Sequence, residues 1–175
     1  MSLQLQPQPT PLDWSSALEH LREVLPRWQY RNQSPILQLC IPIAEPDPLE
    51  WLQHQEGATR IYWSDREHQF QLAGLGAALQ IKGTTEEVMQ KISEWQKLVP
   101  PNTAFLGGIP FHNSTKETEW CGSFQQAAFV LPFLMVQQDS NGSFLWIHLA
   151  QNIEGAPTIQ QLFDFRNNSN AYHLF

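Results

Sequence analysis

Ala127-Ala128-Phe129-Val130-Leu131-Pro132-Phe133-Leu134-Met135-Val136-Gln137-Gln138, then Asp139-Ser140-Asn141-Gly142, then Ser143-Phe144-Leu145-Trp146-Ile147-His148-Leu149-Ala150-Gln151: this stretch decides the fold. Asn and Gly are the residues that tolerate a positive φ, so the Asp139–Gly142 segment is a hairpin turn between the two flanking strands. The strands carry large apolar and β-branched side chains. A strand with one face in water alternates apolar with polar residues. Ala127–Val136 is apolar at nearly every position and so reads as buried on both faces. Phe144-Leu145-Trp146-Ile147 repeats that pattern across the turn.

Upstream, Arg60-Ile61-Tyr62-Trp63 is a second strand of β-branched and aromatic residues, Ser64–Glu67 a turn, and His68–Ala73 an alternating return strand. Ile36-Leu37-Gln38-Leu39-Cys40-Ile41, held between Pro35 and Pro42, has strand length. Phe105–Phe111 is a further strand with a glycine pair. Asp13 caps a helix with Trp14, Leu18, Leu21 and Leu25 on one face, closed by Pro26. Thr84 and Glu87 form a capping box that opens a second helix, with Val88, Ile92 and Trp95 on one face and Pro100-Pro101 beyond its end. Ala44–Pro48 is a linker into a short helix with Leu49, Trp51 and Leu52, and another short helix is expected near Gln160–Phe165. Strands and helices are grouped rather than alternating, so the fold class is α+β, a mostly antiparallel sheet with a few helices packed on it. Residues 1–11 read as a flexible arm, 12–151 as the α+β domain, and 152–175 as a connecting segment. The helices suffice to cover one face of the sheet. The second face of the Ala127–Gln151 hairpin is therefore expected to dock on something else.

Composition narrows the function. The 175 residues suit one domain. Seventeen acidic residues against ten basic ones give a net charge of −7, which repels a phosphate backbone, so nucleic acid is not an expected partner. The N-terminus lacks a basic, then apolar, secretory pattern, and no apolar run is long enough to span a bilayer, so neither membrane nor export is expected. Two cysteines, Cys40 and Cys121, fit a reducing compartment, and the cytoplasm is the expected location.

No catalytic constellation stands out. Gly74-Leu75-Gly76 follows a strand but lacks the third glycine of a dinucleotide loop, and a sheet bend accounts for it better. Gly107-Gly108 reads as a close backbone approach. Cys121 could serve as a nucleophile with His112 or His148 as base, but no protease-like signature surrounds it, and a buried thiol is the ordinary reading. The six histidines are scattered, so no metal site is expected from this chain. Glu86 and Glu87 sit in the first turn of a helix, where the dipole favours carboxylates, and Glu117 and Glu119 lie in a polar loop. Catalytic, cofactor-binding and metal-ligating residues are accordingly assigned as none.

Four stretches in order carry a resemblance: Arg60-Ile61-Tyr62-Trp63-Ser64-Asp65-Arg66, Leu72-Ala73-Gly74-Leu75-Gly76-Ala77-Ala78, Phe105-Leu106-Gly107-Gly108-Ile109-Pro110-Phe111, and Glu119-Trp120 leading to Phe129-Val130-Leu131-Pro132. The series resembles the N-terminal part of isochorismate synthases, in the chorismate-utilising family with anthranilate, aminodeoxychorismate and salicylate synthases. The resemblance implies the N-terminal portion of that fold and a role in quinone or salicylate biosynthesis. In the family a lysine activates water, a glutamate acts as acid and further glutamates hold Mg²⁺, all in a C-terminal chorismate-binding half. The lysine strand, of the form Lys-Val-Val-x-Ala-Arg, does not occur here, so no catalytic residue is carried over. The implied partner is that C-terminal half, and Mg²⁺ belongs to the full-length enzyme. Anthranilate synthases place Leu-Leu-Glu-Ser where this chain has Ile61-Tyr62-Trp63-Ser64, and Trp63 in place of the glutamate favours the isochorismate synthases. The alternative is a stand-alone small-ligand or protein-interaction module without catalysis.

Overall fold

A computed structural model of the chain describes residues 3–4, 12–13, 16–17, 19–21, 23, 34–44, 47–55, 59–101, 103–110 and 126–151. The expected helix at Gln160–Phe165 lies outside them. Among the described residues nine strands form two sheets. The large sheet runs in the order β1 (Leu3–Gln4), β2 (Ile36–Ile43), β9 (Gly142–Ala150), β8 (Leu134–Asp139), β4 (Gln71–Leu75), β3 (Arg60–Ser64). Every pairing is antiparallel except the short β1 with β2. The small sheet has the order β5 (Leu79–Gly83), β7 (Ala127–Leu131), β6 (Leu106–Gly108), and is antiparallel throughout.

The deciding hairpin is β8–β9, with Leu134 opposite Ile147 and Asp139 opposite Gly142. Gly142 carries the turn's positive φ (122°), and the Asp139 carboxylate accepts the Asn141 N–H at 2.7 Å. Register places Leu37, Leu39, Ile41 and Ile43 of β2, Leu145, Ile147 and Leu149 of β9, Leu134 and Val136 of β8, and Ala73 and Leu75 of β4 on one face. Helix α1 (Pro48–Gln53) covers this face with Trp51 and Leu52. Its N-cap is Asp47, whose side chain accepts the Glu50 N–H, and Pro48 fits the first turn, where no N–H is required. Ala17 and Leu21, among the helical residues that follow Asp13, complete the layer, and Asp13 caps them by accepting the Ser16 N–H at 2.9 Å.

The small sheet has its own core. Helix α2 (Thr85–Gln96) starts at the expected box: Glu87 N donates to Thr84 Oγ1 at 3.3 Å and Thr84 N donates to the Glu87 carboxylate at 3.0 Å. Val88 and Ile92 pack on Ile81 and Ala127, with Trp95, Phe105 and Phe129 at the margin.

One expectation needs correction. The apolar run from Ala127 to Gln138 is two strands in two sheets, broken at Pro132. Proline has no N–H for a ladder, so it breaks the pairing where it stands. The run from Val130 to Val136 is buried because it passes from one core into the other: Leu131 belongs to a cluster with Ile36 and Ala78, Phe133 to the main core. Two smaller differences follow from local chemistry. The return strand of the first hairpin is Gln71–Leu75 rather than His68–Ala73, because the Asp65 carboxylate accepts the N–H groups of Gln69 (2.8 Å) and Phe70 (3.2 Å) and lengthens the turn. Within that turn His68 adopts a φ of 54°. Leu79–Gly83 is a strand without an evident signal in the sequence.

Candidate functional site

The glycines of the ordered stretches serve packing. A Cβ on Gly74 would lie 2.7 Å from Pro132 Cγ, so this position admits the proline ring that crosses between the sheets. Gly76 has a φ of 66° and ends β4, its N–H donating to Thr59 O at 2.8 Å. A Cβ on Gly107 would meet the Ala128 carbonyl and come within 2.7 Å of Phe129 Cα, which makes this the close approach of β6 to β7. Gly108 has open space around it.

Of the candidate side chains, His112, Glu117, Glu119, Trp120 and Cys121 lie outside the described residues. Glu86 and Glu87 stand in the first turn of α2. Hydrogen bonds from Thr84 hold the Glu87 carboxyl below its ordinary range, consistent with a capping role. The Cys40 thiol is pushed up to about 12, first by burial and then by the charge of Asp139, and is a poor nucleophile. His148 is fully buried. Its Nδ1 lies 2.7 Å from Pro132 O, which only accepts, so Nδ1 carries the proton and Nε2 receives the Gln38 amide N–H at 3.3 Å. Among the described residues no group of three or more His, Cys, Asp or Glu side chains could hold a metal ion.

The second face of the large sheet is chemically different from the first. Register assigns to it Ile36, Gln38, Cys40 and Pro42 of β2, Phe144, Trp146 and His148 of β9, Met135 and Gln137 of β8, Leu72 and Gly74 of β4, and Ile61 and Trp63 of β3. Ile36, Gln38, His148, Met135 and Leu72 are buried, Cys40, Phe144, Trp146, Gln137 and Ile61 are half-buried, and Trp63 is 49% exposed. Trp63 meets Phe70 edge-on, with ring centroids 5.8 Å apart. The Trp146 indole N–H is shielded from solvent and has no hydrogen-bond partner among the described residues. An orphaned buried donor costs about 1–3 kcal/mol. Sequence reasoning singled out neither Gln38 nor Trp146. A lone amide within Ile36–Ile41 was the available signal for Gln38, and the loss of alternation at Phe144–Ile147 for Trp146.

The family of chorismate binding enzymes matches residues 19–171, most of the chain. The chain belongs to the chorismate-binding enzyme family. Its fold is similar to that of the menaquinone-specific isochorismate synthase MenF from Escherichia coli, with a TM-score of 0.54 over 87% of this chain at 17% identity. The chain covers 33% of the length of MenF. No curated protein matches it. No described helix is long and apolar enough to cross a membrane.

Proposed function

We propose that the chain is the N-terminal, non-catalytic portion of an isochorismate synthase, which converts chorismate to isochorismate in the cytoplasm for quinone or salicylate biosynthesis. The observation that carries this reading is the family match over residues 19–171 combined with the third of MenF that the chain spans. The motif order agrees with it: its described parts fall on β3, β4, β6 and β7. Mg²⁺ and the residues that activate water belong, in this reading, to a C-terminal chorismate-binding half. The contribution of this chain is then a scaffold: the first face of the large sheet is closed by its own helices, and the second offers Trp63, Phe144 and Trp146 to the partner half.

The chain alone, incubated with chorismate and Mg²⁺, is expected to give no isochorismate by chromatography. Turnover above a boiled control would show that the chemistry is misplaced. The coding sequence downstream of codon 175 supplies the second test. An open frame running into a Lys-Val-Val-x-Ala-Arg segment supports the enzyme, and a stop codon there favours the stand-alone module.

A further inference from the structure

The chain enters the small sheet at Gly76–Ala78 before β5, returns to it through the segment around Thr103 before β6, and leaves it at Pro132-Phe133 after β7. Two of these connections reach a pair of buried side chains, His148 and Gln38. His148 donates its imidazole Nδ1–H to Pro132 O at 2.7 Å and its backbone N–H to Phe133 O at 2.9 Å. One β9 residue thus holds two consecutive carbonyls of the crossing. The opposite ring nitrogen accepts from Gln38 of β2, and the Gln38 carbonyl oxygen lies 3.5 Å from Thr103 Oγ1, whose proton goes to Pro100 O at 2.7 Å. Gln38 and His148 are both 0% exposed, two of the few polar side chains buried in the described fold. The crossing is also shaped to receive this contact. Gly74 leaves room for the Pro132 ring, and Ala78 N donates to Leu131 O at 2.9 Å just ahead of it.

We infer that His148, oriented by Gln38, is the pin that fixes the small sheet and α2 at one angle on the large sheet. Without the pin the two sheets keep their separate cores. Ile81, Val88, Ile92 and Ala127 form one cluster, and the β2, β9, β8 and β4 side chains form the other. What is lost is the side-chain hydrogen-bonded link between them, while the apolar contact of Ile36 with Ala78 and Leu131 and the backbone bond from His148 N–H to Phe133 O remain. A buried polar chain of this kind specifies an arrangement because each unmade bond leaves an unsatisfied group in an apolar setting. The role lies outside the chemistry of chorismate. It makes His148 a positioning residue.

Hydrogen exchange followed residue by residue tests the pin in the full chain. His148→Phe keeps a flat ring of similar size and removes every side-chain hydrogen bond. The amides of β5, β6 and β7 are expected to lose protection by about tenfold or more, while those in the centre of β2, β4 and β9 retain theirs within about threefold. Gln38→Leu removes the orienting donor and the weak contact with Thr103 but leaves the His148 bond to Pro132 O, and is expected to give the same pattern at smaller amplitude. A packing role without a pin predicts an equal loss in both sheets. That result, or no loss in either, overturns the inference. If His148→Phe does not fold, Gln38→Leu alone decides by the same criterion.

Discussion

Trp51 and Trp63 stand on opposite sides of the same sheet and differ in almost every physical respect. Trp51, on α1, is 2% exposed and lies among the aliphatic side chains of β2, β9, β8 and β4. Trp63, on edge strand β3, is 49% exposed and touches Phe70 edge-on. The first face is a finished core, closed by short helices with their own caps. The second is graded, buried and hydrogen-bonded where Pro132 crosses it, and half-open along Phe144, Trp146 and Trp63. A single sheet can thus have one side that folds the domain and another that remains available to a partner.

The largest expected effect tests the finished side. Trp51→Ala removes a fully packed ring and is expected to cost about 3–5 kcal/mol in urea unfolding. A loss no larger than that of the corresponding Trp63 variant would show that the two faces are energetically alike.

Acid should act at the junction on the second face. Burial lowers the His148 pKa from 6.5 to about 4, and the hydrogen bond to Pro132 opposes that shift only in part. The groups that face the ring from β2 and the crossing are Gln38 and Pro132, and Thr103 lies beyond Gln38, all uncharged. On the same sheet face, Cys40 stays neutral across the acid range, and Asp139 lies farther along it. Between pH 6.5 and about 4 the unfolded chain takes up a proton that the folded chain refuses. The stability from neutral His148 is therefore complete above pH 6.5, declines as pH falls, and levels off below about 4. The difference amounts to about 3 kcal/mol. Comparing wild type with His148→Phe from pH 7 to 4 isolates this effect. Parallel stability curves would mean that His148 titrates normally and that the junction is wetter than its burial indicates.

A third, smaller effect belongs to the small sheet. Thr84→Ala removes one arm of the capping box and is expected to lower stability by about 1 kcal/mol. Exchange at β5 and α2 should register it before the large sheet does. Uniform loosening of both sheets would show that they open as one unit.

These contrasts were unevenly legible in the sequence. Thr84 and Glu87 announced α2 because a capping box is a local arrangement, complete within four residues. Asp13 and the Asp139–Gly142 turn were readable for the same reason. The break at Pro132 was not, since an apolar run buried on both sides has no period to interrupt, and its two strands find partners as distant as Leu79 and Ile147. The proline itself was the usable signal, because it cannot supply a ladder N–H in a central strand. Leu79–Gly83 is short and only its pairing with β7 makes it a strand. The pin escaped notice because Gln38 and His148 are 110 positions apart and meet only across β2 and β9. As a candidate base for Cys121, His148 was selected for its chemistry, whereas its surroundings assign it to packing.

The smallest expected effect on the chain bears most directly on the second face. Trp63→Ser deletes a half-exposed ring and one edge-on aromatic contact, so its cost in unfolding should be only about 0.5 kcal/mol. Its consequences for the surface should be larger. Trp63 is the most exposed of the aromatic residues on that face, and apolar patches left open on a monomer bind dyes and promote self-association. If the face is held ready for a C-terminal half, Trp63→Ser should reduce dye binding and light-scattering aggregates of the isolated chain with little change in its urea midpoint. The same substitution within a full-length protein should weaken the hold of the two halves on each other. Unchanged dye binding in the variant, or a wild-type chain that is monodisperse and binds no dye, would place the second face with the first, as a surface already satisfied.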